Sequence, residues 1–88
     1  MQSDELIRRL TANPEILYLV RHARNRARAA KLSSENVREL LLRCTTVEEA
    51  DAERFRVTSS LPDGRLIRLV LKQEADRLVV ITLFVVRR

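Results

Sequence analysis

The sequence predicts an α+β domain in which N-terminal helices pack on a small antiparallel sheet of three to four strands. Three observations carry that expectation. Up to Cys44 the apolar residues recur at helical spacing, with start signals at Asn13 and Ser33. From Phe55 onward apolar and polar residues alternate, as they do along a half-buried strand. Gly64, the chain's one glycine, stands in "LPDGR", a tight-turn signal between two alternating runs. A chain of 88 residues is long enough for one domain, spanning 1–88.

Taken in order, Ser3 is a candidate helix cap, with Asp4 and Glu5 well placed in the first turn and Leu6, Ile7 and Leu10 on one side. Asn13-Pro14-Glu15 reads as a fresh helix start. The next residues, "ILYLV", fit either a continuing helix or a short strand. From Arg21 the helical reading is firmer. Val20, Ala23, Ala27 and Ala30 share one face, Arg21, Arg24, Arg28 and Lys31 the opposite one, and His22 and Arg26 stack along the border. Ser33 caps a further helix whose buried side is Val37, Leu40, Leu41 and Cys44.

Beyond Thr45 the acidic "VEEADAE" reads as a loop or an edge strand. Phe55, Val57, Ser59 and Leu61 alternate along one strand, and Ile67, Leu69 and Leu71 share a face of the next. "QEAD" is a second turn. "RLVVITLFVVRR" is apolar on both sides, as a central strand is. The strands thus form a meander behind the helices.

Composition narrows the function classes. The net charge of +5 favours an anionic partner. One cysteine forms no intramolecular disulfide, and one Cys with one His falls short of a four-ligand zinc site unless carboxylates join them. Neither a metal nor a cofactor is expected. Asp4, Glu5, Arg8 and Arg9 interrupt the start where a signal peptide is apolar, and no run is long enough to span a bilayer. The expectation is a cytoplasmic protein without membrane contact. Three scattered aromatics, Tyr18, Phe55 and Phe84, give no platform for base stacking.

The chemistry concentrates in "RHARNRARAAK", Arg21–Lys31, which holds four arginines, a lysine, the sole histidine and no acid. A histidine handles protons near neutrality. Arg26, one turn on, offers a planar fork for a phosphate. Arg21, Arg24, Arg28 and Lys31 are candidates for holding a nucleic-acid backbone by charge. Thr82, which interrupts an apolar strand, supplies a hydroxyl to the pair if it faces the helices. Each has a plainer role: His22 as a structural hydrogen bonder, the basic face as solvated surface, Thr82 as a good strand former.

"HARNRARAAKLSSENVRELL", His22–Leu41, resembles the opening of the bacterial domain-of-unknown-function family 4258. That family shows His-Ala-x-x-Arg-x-x-x-Arg-x-Ile-Ser before a second helix, and its chains end in a strand similar to "RLVVITLF", Arg77–Phe84. His22, Ala23, Arg26, Leu32 and Ser33 carry the likeness, which spans roughly residues 18–86. The family's second arginine falls on Ala30 and its glycine on Lys31. The family in turn resembles the RelE/BrnT-type ribonuclease toxins, which set two helices on a small antiparallel sheet. The resemblance implies a toxin-like protein that binds RNA and is able to cut it without metal, held by an acidic antitoxin over the basic helix; His22 and Arg26 would carry the chemistry, with Thr82 as the candidate strand hydroxyl. Two rivals stay open. One is a non-catalytic module whose basic helix docks an acidic partner, including the 48–53 segment of a second copy in a homodimer. The other is a nucleic-acid binder without chemistry.

Overall fold

The eleven-residue strand β5 (Arg77–Arg87) organises the molecule. The computed structural model describes residues 3–44, 46–51 and 53–87. Ahead of β5 come α1 (Ser3–Ala12), a single 3-10 turn (Pro14–Ile16), β1 (Leu17–Leu19), α2 (Arg21–Ala29), α3 (Ser34–Leu42), β2 (Thr46–Asp51), β3 (Arg54–Ser60) and β4 (Leu66–Glu74). The sheet order is β1-β5-β4-β3-β2, with β1 parallel to β5 and the other neighbours antiparallel. The α+β class is as expected. The strand count is five rather than three or four, because Leu17–Leu19 and Thr46–Asp51, which overlap the two ambiguous segments, are strands.

Local chemistry accounts for the breaks. Asn13 does cap a start, its side chain accepting from the Glu15 N–H, but only one 3-10 turn follows before Leu17 goes extended. Tertiary pairing with β5 outweighs the helix signal there. α1 includes Ser3 itself, so the residue ahead of the helix lies outside the described residues. Ser33 and Asn36 form a reciprocal capping box at the start of α3. In the "LPDGR" turn the Gly64 N–H donates to the Leu61 carbonyl, and Gly64 has a φ of 92°.

The core lies on one face of the sheet. Leu6, Leu10, Ala23, Ala27, Val37, Leu40 and Leu41 from the helices meet Phe55, Val57, Ile67, Leu69, Leu71, Leu78, Val80 and Leu83 from the strands. Cys44 joins them, and burial raises the pKa of its thiol. Alanines at positions 23 and 27 let α2 lie close against β5.

A β-bulge sets which residues of β5 look inward. Val80 stands opposite Leu71 and Thr82 opposite Val70, so Ile81 is one residue more than β4 can match. Before the bulge Leu78 and Val80 are core; after it Leu83 is core, and Thr82 points to the other face with Val70. Without the bulge, strict alternation would place Thr82 in the core beside Val80. Deleting Ile81 should therefore regularise the ladder, with Thr82 still opposite Val70 and Leu83 still in the core opposite Leu69. The Leu83 burial, worth about 1.5–3 kcal/mol, is kept, so the urea midpoint of the variant should fall little.

α2 ends in a Schellman motif. The Leu32 N–H donates to the Ala27 carbonyl at 2.8 Å and the Lys31 N–H to the Arg28 carbonyl at 2.9 Å. Lys31 occupies the left-handed position with a φ of 61°. This is the position where the resembling pattern carries glycine. Lys31→Gly should raise stability by about 1 kcal/mol, seen as a higher melting temperature.

Candidate functional site

β1 pairs with β5 only from Leu78 to Val80. At Val20 the chain turns, its N–H still donating to the Val80 carbonyl at 3.3 Å, and α2 begins. The edge of β5 that β1 would otherwise cover is left to the side chains of α2. Arg26 Nε donates to the Leu83 carbonyl at 3.2 Å. One turn earlier, His22 Nε2 lies 3.0 Å from Thr82 Oγ1, the hydroxyl donating or accepting according to the ring tautomer. His22, Arg26 and Thr82 are thus brought together, and His22 is exposed. Thr82 does not face the helix pair, as its role at the sequence level required. The bulge turns it to the open face, and His22 reaches it over the strand edge.

The electrostatics favour an anion here. Among the described residues no carboxylate lies within ion-pair distance of Arg21, Arg24, Arg26, Arg28 or Lys31. α2 starts without a side-chain cap and without an acid in its first turn, so its positive end is uncompensated beside His22. Arg26 spends Nε on Leu83, which fixes its plane and leaves the terminal nitrogens. From Arg26 a cleft of about 640 Å³ runs between the end of α2, the 61–65 turn and β5, lined by Lys31, Arg65, Asp63, Leu83, Phe84 and Val85 among others. Arg65 braces that end, donating to the Ala30 carbonyl and to Asp63 at 2.9 Å each. The Asp63 carboxyl is held below its usual range by the Arg65 N–H and then by its guanidinium.

The residues predicted to hold a nucleic-acid backbone divide into two groups. Arg21, Arg24, Arg28 and Lys31 are all exposed. At about 100° per residue, however, Arg24 and Arg28 lie about 160° around the helix from Arg26. Only Lys31, past the helix end, shares the Arg26 cleft. The acidic 48–53 segment is farther still. β2 is three strands from β5, about 14 Å across the sheet, so it leaves the basic helix unneutralised within one chain.

Sequence reasoning missed the residues on the open face around Thr82. Tyr18 pairs with Val79, and Arg68 stands opposite Phe84, on the side away from the helices. Tyr18 is 43% exposed, and the Arg77 guanidinium lies 5.0 Å from its ring centre. Two of the three aromatics therefore flank Thr82 on one surface. A two-residue alternation from Thr82 to Phe84 was the available signal; the bulge hid its extension back to Val79.

Fold and site together define a two-layer α+β domain with a histidine–threonine pair at the junction of a basic helix and an open sheet face. The chain belongs to the family described as Domain of unknown function (DUF4258), which matches residues 19–85. The match begins at the end of β1 and includes His22, Arg26 and Thr82. No curated protein and no solved structure matches the chain. Among the described residues no helix is long and apolar enough to cross a membrane, and no group of three His, Cys, Asp or Glu side chains is placed to hold a metal ion.

The His22–Thr82 bond is exposed, so its net worth is small. Thr82→Val, which keeps the strand-forming shape, should change stability by no more than about 1 kcal/mol. It should free the imidazole, visible as a change in the His22 ring signals by NMR.

Proposed function

We propose that this protein binds RNA at the junction of α2 and β5 and cleaves it without metal, in the manner of the RelE/BrnT-type toxins it resembles. The observation that carries the reading is the 3.0 Å contact between His22 Nε2 and Thr82 Oγ1 on an exposed surface, with Arg26 held one turn away. A strand hydroxyl at that distance marks where a substrate hydroxyl fits against the imidazole. In such a cleavage the ribose 2′-oxygen bonds to phosphorus and the bond from phosphorus to the 5′-oxygen breaks. His22 takes the 2′-hydroxyl proton, and water returns one to the leaving oxygen. The terminal nitrogens of Arg26 and the uncompensated start of α2 steady the added negative charge. Thr82 orients the ring until substrate takes its place. Arg21, Arg24 and Arg28 draw the polyanion in by field rather than by contact with the reacting phosphate. An acidic antitoxin would cover this helix.

A non-catalytic reading is favoured by one placement: a basic helix at one end of the sheet and an acidic edge strand at the other. Copies joined through those two patches associate head to tail, and such contacts extend into chains or rings. Sedimentation would show oligomers that dissociate in high salt.

Under the cleavage reading, wild-type protein in EDTA should shorten single-stranded RNA to products ending in 2′,3′-cyclic phosphate and 5′-hydroxyl. His22→Ala should slow this by at least about 100-fold. Undiminished cleavage by that variant removes His22 from the chemistry. Absence of both binding and cleavage by the wild type removes the RNA reading.

A further inference from the structure

The face of the sheet away from the helices is graded, aromatic and hydroxyl groups toward β1 and β5, cations on β3 and β4, and acids on the β2 edge. Among the described residues no helix or strand packs on it. Cross-strand register lays it out in rows. One row reads Tyr18, Val79, Lys72, Arg54, Asp51; the next Thr82, Val70, Arg56, Glu48; the third Phe84, Arg68, Thr58, Thr46. Four cations, Arg54, Arg56, Arg68 and Lys72, thus stand on β3 and β4, and two aromatics flank Thr82 on β1 and β5. Lys72 meets Glu53 only at 3.9 Å between exposed groups. Arg56 and Arg68 have no carboxylate within ion-pair distance among the described residues, and Arg68 Nε has no acceptor. Val79, outside the core cluster yet only 5% exposed, forms an apolar floor beneath its neighbours.

We infer that this open sheet face, and not the outer side of α2, is the track for single-stranded RNA, with Arg56 and Arg68 on phosphates and Phe84 and Tyr18 under bases. The inference rests on the reading of His22 and Thr82 as an RNA-cleaving pair and adds the surface and the strandedness of the substrate. Three arguments favour it. His22 meets Thr82 on this face, whereas Arg24 and Arg28 point about 160° away from Arg26. Arg56 is two strands from Thr82, about 10 Å, and Arg68 is the neighbour of Phe84, so charge and stacking groups surround the reactive pair. Aromatic rings beside cations suit unpaired bases, because a duplex hides the faces that stack. An acidic polypeptide would satisfy the cations and leave the rings without a partner.

The test uses a ten-nucleotide RNA made uncleavable by 2′-methoxy groups, its duplex form, and polyglutamate, titrated into the full chain. The single strand should bind more tightly than the duplex. Amide NMR shifts should cluster in residues 54–58, 66–72 and 82–86, a readout that needs no substitution. Arg56→Gln with Arg68→Gln should reduce the slope of log affinity against log salt by about 1.4, the share of two single-strand phosphates. Phe84→Leu should weaken binding roughly tenfold. If binding instead survives these changes and is lost on replacing Arg21, Arg24 and Arg28 with Gln, the sheet-face track is wrong while the RNA reading stands. Equal affinity for the duplex also overturns it. If polyglutamate binds and neither RNA does, the RNA reading falls with it.

Discussion

β5 changes partners halfway along its length, and the remainder of the molecule follows from that. For three residues it pairs with β1; from Ile81 onward the same edge faces α2. Backbone groups on a strand edge need acceptors and donors. Here an arginine side chain does the work of a missing strand, Arg26 donating to the Leu83 carbonyl. A basic helix is thereby fixed against a sheet edge with its flank at the rim of the opposite face. A longer β1 would have covered the edge and left His22 no route to Thr82.

The bulge at Ile81 is the second half of the same device. A residue of extra length inside a core strand has a cost in local pairing, and it is tolerated where it re-aims a side chain. In this strand it moves one hydroxyl out of the apolar layer and one leucine into it. Burying an unpaired hydroxyl beside Val80 would be unfavourable, so core packing itself selects the bulged register. Stability and site geometry are satisfied by one irregularity, and no trade between them is required at Thr82.

Much of this was legible in the residues. The alanine face of α2, the Ser33 cap, the alternation in β3 and β4 and the central position of β5 follow from periodicity and local hydrogen bonding. His22, Arg26 and Thr82 were identified by type and spacing, and the fold unites them. Two things were not legible. A strand that is apolar on both sides, "LVVITLFVV", carries no pattern from which a bulge can be read, so the face of Thr82 was undetermined. Helical periodicity separates inner from outer faces but does not say which flank meets the sheet edge. Periodicity puts Arg26 on the border and Arg24 on the outer face; only the fold shows that the border carrying Arg26 is the one against β5.

That separation bears on how charge is used. Cations that touch a substrate and cations that attract it are different requirements, because contact needs position whereas long-range attraction needs only net field. Screening in salt leaves roughly 8–10 Å of reach, comparable to the width of α2 itself. On the RNA-cleaving proposal, Arg21, Arg24 and Arg28 would raise the local potential at His22 without approaching the scissile phosphate. The residues that must be placed to within an ångström are those locked to β5: His22 by Thr82, Arg26 by Leu83. On that proposal the most conspicuous feature of the sequence, its run of arginines, serves mainly as field, and the chemistry falls to the narrow flank where two side chains are tied to a strand.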